Sequence, residues 1–241
     1  MLVQASHVNT SGCFTTGNAI SYANPGGTNT LMVIRIENTG NSGALPTALS
    51  YASQNLTLVR SDPIYSAAAG TISTYYLVNP PTGTNNIIAN FAAGSCNWNV
   101  VVEIWSGINQ SSPIGASNTG LNSTAVNNFT ATLTTTGPNS MVDNYMAVQQ
   151  ASSVAFTLGT GQISHAYTDN CCEEIFGDYK YVGAAGAQSL TYNLNASKEY
   201  AWQAVELKGL PSCSTPTDTV TSTRSFTFRA SRTVTASYTV T

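Results

Sequence analysis

The chain has 241 residues, 42% of them hydrophobic and only 8% charged, with a formal net charge of −3. That length suffices for one large β-sandwich or two small domains, and the apolar content excludes a disordered chain. The weak negative charge excludes a nucleic-acid binder, which needs a basic face for phosphates, and no run of about 18 apolar residues offers a membrane-spanning helix.

The start, Met1-Leu2-Val3-Gln4, shows neither the charged nor the apolar region of a signal peptide. The expectation is that a signal was removed or that the protein reaches its place without one, as virion proteins do. From Asn18 onward, period-two patterns rich in Val, Ile, Thr, Tyr and Phe recur between Gly, Pro and Asn clusters. They predict strands over 18–22, 30–37, 48–51, 56–60, 71–78, 86–91 and 99–106, then over 128–135, 140–149, 154–158, 162–167, 178–182, 189–194 and 200–208. Turn chemistry sits between them at Asn24-Pro25-Gly26-Gly27, Asn79-Pro80-Pro81-Thr82-Gly83 and Gly137-Pro138-Asn139. Leu31 to Ile34 and Val100 to Val102 break alternation, as strands covered on both faces do. Trp105, Trp202 and Phe91 are the expected core aromatics. No helix is expected.

Tyr75-Tyr76-Leu77-Val78-Asn79-Pro80-Pro81-Thr82-Gly83, then Val100-Val101-Val102-Glu103-Ile104-Trp105-Ser106-Gly107-Ile108-Asn109-Gln110, then Ala201-Trp202-Gln203-Ala204-Val205-Glu206-Leu207-Lys208 carry a resemblance. Together they resemble a jelly-roll β-sandwich module that recurs in bacterial extracellular proteins and phage virion proteins. The resemblance spans about residues 5 to 209. It implies an accessory or structural unit, and it assigns no active site. The expected fold is thus an all-β, jelly-roll-like antiparallel β-sandwich over 1–210. A Ser/Thr/Pro linker from Pro211 and a C-terminal extended strand or hairpin complete the chain to residue 241.

Signs of chemistry are few. Neither His7 nor His165 accompanies a G-x-S-x-G elbow, so each is expected to be solvated or a hydrogen-bonded structural histidine. Asp169, Glu173, Glu174 and Asp178 crowd one segment. Such an oxygen-rich loop is a candidate Ca²⁺ site, although its spacing is not that of an EF-hand. No other cofactor is implied. The five cysteines, Cys13, Cys96, Cys171, Cys172 and Cys213, contain no C-x-x-C pair. An odd count leaves at least one thiol unpaired or paired between chains. A disulfide between distant members stays open, whereas a bond between the adjacent Cys171 and Cys172 would strain the peptide that joins them. Six N-x-S/T sequons, at Asn9, Asn55, Asn109, Asn122, Asn128 and Asn195, are no more than chance gives a chain so rich in Asn, Ser and Thr.

The tail is different. Phe226, Phe228 and Ala230, then Val234, Ala236, Tyr238 and Val240, alternate with polar residues, with Ser231-Arg232-Thr233 as a bend. Arg224, Arg229 and Arg232 against Asp218 give it a net charge of +2, whereas the chain up to Leu210 carries five bases and ten acids. A weakly basic strand beside an acidic body suits strand addition, which draws affinity from main-chain hydrogen bonds and specificity from alternate side chains. The tail is expected to pair with a neighbouring subunit, to complete its own sheet or to begin a second small domain; in the first case the assembly strand is carried by Phe226, Phe228, Arg229, Arg232, Val234, Tyr238 and Val240. The expected function is that of a non-catalytic structural subunit of an extracellular filament or virion (decoration, tail or fibre). Its partners would be itself or other structural subunits, and its place outside the cell or on a virion surface. The alternative is a carbohydrate-binding or adhesion module, with glycans as partners.

Overall fold

The computed structural model describes residues 2–14, 18–38, 45–65, 70–91, 95–149, 154–169 and 173–210. Contacts divide the chain into a unit Met1–Pro211 and a unit Ser212–Thr241. The second unit, with the expected linker, assembly strand and Cys213, lies outside the described residues, as do Cys171 and Cys172.

Every regular element of the described residues is a strand. In order these are β1 (Leu2–Phe14), β2 (Asn18–Asn24), β3 (Leu31–Asn38), β4 (Pro46–Tyr51), β5 (Gln54–Asn55), β6 (Thr57–Pro63), β7 (Thr71–Val78) and β8 (Gly83–Phe91). Then come β9 (Ser95–Trp105), β10 (Ile114–Thr135), β11 (Ser140–Gln149), β12 (Phe156–Leu158), β13 (Gln162–Asp169), β14 (Glu173–Val182) and β15 (Gly186–Lys208). All pairings are antiparallel, and the chain is all-β and sandwich-like, as its periodicity predicts.

Residues 2–105 build one lobe. A sheet in the order β1-β9-β3-β7-β6 packs against a smaller one in the order β2-β8-β4-β5. Their shared core takes Met32, Ile34, Ile36, Trp98, Val100 and Ile104 from the first sheet and Ile20, Leu49, Tyr51, Ile87 and Phe91 from the second. The turns match the expected chemistry: Asn79 at φ 48° and Gly83 at φ 83° turn β7 into β8 with left-handed backbone.

Residues 114–208 build a second lobe from one sheet that folds on itself. β10 has 22 residues, roughly 70 Å if straight. Yet Ala116 at its start and Thr136 just past its end both donate their amides to Glu206, each at 2.9 Å, so the strand doubles back. The corner lies at the register shifts between Asn122 and Asn128. β15 turns with it. Its second half lies between β10 and β11, and its first half lies between β10 and β12. The fold closes over Phe129, Ala131, Leu133, Val142, Met146, Phe176, Leu190, Tyr192, Trp202 and Ala204. Phe129 stacks on Tyr200 at 3.8 Å, and a Cβ at Gly120 would meet the Trp202 ring at 2.7 Å.

The two lobes share one winding. Taking the halves of β10 and β15 separately, the second lobe runs β10-β15-β11-β14-β13 in one layer and β10-β15-β12 in the other. That is the order of β1-β9-β3-β7-β6 and β2-β8-β4. The sequence echoes it. Gly83–Phe91 and the stretch from Gly186 to Leu194 are equally long and bury the same three positions, Ile87, Ala89 and Phe91 in one and Leu190, Tyr192 and Leu194 in the other.

The large layers of the two lobes face each other. Leu31, Val33, Val101 and Trp105 of the first lobe meet Met141, Tyr145, Ala147, Ile175, Ala201, Val205 and Leu207 of the second. This doubly covered position explains why β3 is buried at all eight residues and β11 at nine of ten.

Candidate functional site

The layer between the lobes holds the main ionic cluster of the described residues. Along β3, residues 31, 33, 35 and 37 point to the second lobe, which puts Arg35 and Glu37 after two apolar residues on that face. Glu103 on β9 sits between Val101 and Trp105 on the facing side, and Asp143 on β11 between Met141 and Tyr145. All four charged side chains are fully buried. Burying a charge is costly unless it is paired, so these positions need one another.

His165 completes the group. In the pairing of β13 with β14, Ser164 faces Asp178 and Ala166 faces Gly177, leaving His165 as the extra residue of a bulge. A bulge re-aims a side chain out of strict alternation. Here it brings the imidazole, 2% exposed, against Asp143 and Glu103. The Trp105 ring meets it edge-on at 5.7 Å and the Tyr179 ring stacks at 5.5 Å.

The two carboxylates divide their oxygens. Arg35 Nη2 donates to Asp143 Oδ2 in a very short ion pair, and its Nε lies 3.9 Å from Glu103 Oε2. Trp105 Nε1 donates to Oε2, at 3.3 Å. The remaining oxygens turn to His165, whose Nε2 lies 3.1 Å from Asp143 Oδ1 and 3.5 Å from Glu103 Oε1. Glu103 Oε1 and His165 Nδ1 are buried without a hydrogen bond. Among the described residues, Glu103, Asp143 and His165 are the three side chains of ligating type whose donor atoms all lie within 4.8 Å of one another.

Polar contacts continue outward from Arg35. Arg35 Nη1 donates to Thr74 Oγ1, and that hydroxyl donates to Gln203 Oε1 at 2.7 Å. Gln203 in turn donates to Asp62, the partner of Arg60 on β6. One chain of bonds thus joins an edge strand of the first lobe to the bulge of the second.

The electrostatics follow from burial and proximity. Burial, with Asp143 beside it, pushes the Glu103 carboxyl up to about 7, against the pull of His165 and Arg35. Burial also acts against the Asp143 carboxylate, but Arg35 and the bond from His165 outweigh it and hold the group below its ordinary value. Burial disfavours the His165 cation, and Glu103 with Asp143 more than compensates, raising its pKa.

The acidic residues expected to hold Ca²⁺ do not converge among the described side chains. Glu174 and Asp178 lie four residues apart on β14, about 13 Å along a strand. Glu174 accepts the Val154 amide at 2.8 Å. Asp178 accepts from Tyr192 at 2.8 Å, Gln162 at 2.9 Å and Asn144 at 3.2 Å. The side chains of Asp169 and Glu173 lie outside the described residues. Backbone register sets Cys13 opposite Cys96 across β1 and β9, with their side chains, like that of His7, outside the described residues. His165 is the hydrogen-bonded histidine of the two expected alternatives, and Trp105, Trp202 and Phe91 are core.

Sequence reasoning passed over Arg35, Glu103 and Asp143. The signal was a single charge inside an otherwise apolar buried run, as in Leu31-Met32-Val33-Ile34-Arg35-Ile36. Compared with protein-family models, curated proteins and solved structures, the chain matches none.

Proposed function

We propose that this chain is a non-catalytic structural subunit of an extracellular filament or a virion, assembling by pairing of its C-terminal strand with a neighbouring subunit. The observation that carries this reading is the open edge of β10. Among the described strands β10 pairs with β15 alone, and its 22 residues contain no charge and no proline. Natural sheets blunt a free edge with lysine, proline or a short strand, because an unblunted edge accepts another chain. β2, which holds the matching position in the first lobe, is also uncharged and pairs with β8 alone. The interleaved strand order, with successive strands passing between two layers, fits the jelly-roll-like module that the sequence resembles. The buried charges fit a scaffold too: they meet one another between layers, where they join two lobes.

Removing residues 211–241 tests the reading. Electron microscopy and sedimentation of the native assembly against the truncated chain are expected to show loss of assembly with the body still folded. Intact assemblies from the truncated chain would overturn it. Thr130→Lys with Thr132→Lys, at exposed positions of the β10 edge, is expected to weaken assembly while changing stability by no more than about 0.5 kcal/mol. A glycan array addresses the adhesion reading, for which Tyr181 is the exposed aromatic among the described residues.

A further inference from the structure

We infer that Glu103, Asp143 and His165 form a binding site for one divalent transition cation of the Zn²⁺ type, clamped between the two lobes. The geometry points there first. Asp143 Oδ1, Glu103 Oε1 and His165 Nε2 converge from three strands and both lobes, with nitrogen-to-oxygen separations of 3.1 and 3.5 Å. An ion held at about 2.0–2.1 Å by such donors with tetrahedral angles sets them about 3.3 Å apart. The outer oxygens are already occupied, Asp143 Oδ2 by Arg35 and Glu103 Oε2 by Trp105. Side chains that hold the far oxygen of a carboxylate are the usual support of a metal ligand, because they fix its rotamer.

A second observation is independent of the convergence. Glu103 Oε1 is fully buried, has no hydrogen-bond partner, and faces the imidazole nitrogen. A buried carboxylate oxygen left without a donor costs free energy that a cation at this point removes. The donor set of one imidazole and two carboxylates suits Zn²⁺, Mn²⁺ or Co²⁺ better than Ca²⁺, which takes six to eight oxygens. His165 sits on β13, the last strand of its sheet, and its side chain is 2% exposed.

The full chain, stripped with a chelator and titrated with Zn²⁺ by calorimetry, is expected to bind one equivalent and to melt several degrees higher when loaded. Ca²⁺ at the same concentration is expected to leave the midpoint unchanged. Glu103→Gln and His165→Gln are each expected to weaken Zn²⁺ binding at least tenfold and to abolish the thermal shift. No stoichiometric binding by the parent chain would overturn the inference, as would Zn²⁺ binding unchanged in both variants. Should the variants fail to fold, Co²⁺ loading of the parent chain decides. Weak visible bands without a near-ultraviolet thiolate band support this site, whereas a thiolate band places the ion on cysteines and refutes it.

Discussion

The interior of each lobe and the layer between the lobes are equally buried, but the guanidinium and its carboxylates lie only in the layer between. Inside the first lobe the facing residues are Ile, Leu, Val, Met, Ala, Tyr, Phe and Trp, and inside the second they are Leu, Val, Met, Ala, Phe, Tyr and Trp, with Asn144 and Asp178 hydrogen-bonded to the Tyr192 hydroxyl. Such cores tolerate changes of shape at modest cost and specify their partner loosely. Between the lobes, apolar contacts at both ends enclose Arg35, Glu37, Glu103, Asp143, His165 and Gln203. A buried ionic group adds little net stability over an apolar one of the same size, yet breaking it is severe, because the remaining charges stay buried. The within-lobe cores therefore hold each sandwich together, and the ionic layer sets how one sandwich meets the other.

The largest break in this comparison is Arg35→Ala. It strands Asp143 and Glu103 without their guanidinium, and a loss of about 3–5 kcal/mol is expected in urea unfolding. A loss below about 1 kcal/mol would mean that the layer does not depend on the pair. Next come matched truncations in the two lobes. Ile87→Ala and Leu190→Ala remove fully buried side chains at equivalent places in the repeated strand. Each is expected to cost about 2–5 kcal/mol, and the two values to agree within about 1 kcal/mol. Unequal values would show that a shared winding does not bring shared packing.

A smaller effect belongs to Glu206. Burial would raise its carboxyl, but the amides of Ala116 and Thr136, with the hydroxyls of Ser140 and Thr136, hold it at about 2. A depressed carboxylate contributes stability above its unfolded value near 4.5, and that contribution fades as pH falls toward 2. Glu206→Gln is expected to cost about 1.5–3 kcal/mol at neutral pH and progressively less toward pH 2. A pH-independent difference between the two proteins would contradict the assignment.

Much of the fold was legible, because a half-buried strand writes itself as alternation. The limits of β7 and β11 follow from their patterns, and those of β3 and β6 fall within a few residues. Two kinds of feature escaped. β1 and the first half of β10 are long runs of Ser, Asn, Thr, Gly and small apolar residues. Their strand character comes from pairing with β9 and β15 rather than from local propensity. The continuity of β10 and β15 around a corner is likewise set by tertiary contacts such as Glu206. The shared winding left a faint trace, the spacing Gly-x-x-x-Ile-x-x-Asn-Phe against Gly-x-x-x-Leu-x-x-Asn-Leu, which reads as two ordinary strands until the pairing is seen. The cluster escaped for another reason. Its members stand at 35, 103, 143 and 165, and no local spacing links them. What was readable is narrower: Leu31 to Ile34 and Val100 to Val102 are strands covered on both faces, so Arg35 and Glu103 beside them had to find partners inside.

The central claim is that the ionic layer couples the two lobes, and a double-mutant cycle on Arg35 and Asp143 tests it most directly. Arg35→Met, Asp143→Leu and the double variant replace charge by apolar volume on β3 and β11, one strand from each lobe. The predicted result is a coupling free energy of about 2–3 kcal/mol in equilibrium unfolding, the double variant being destabilised by that much less than the two single effects added together. Single effects that add to within about 0.5 kcal/mol would contradict it.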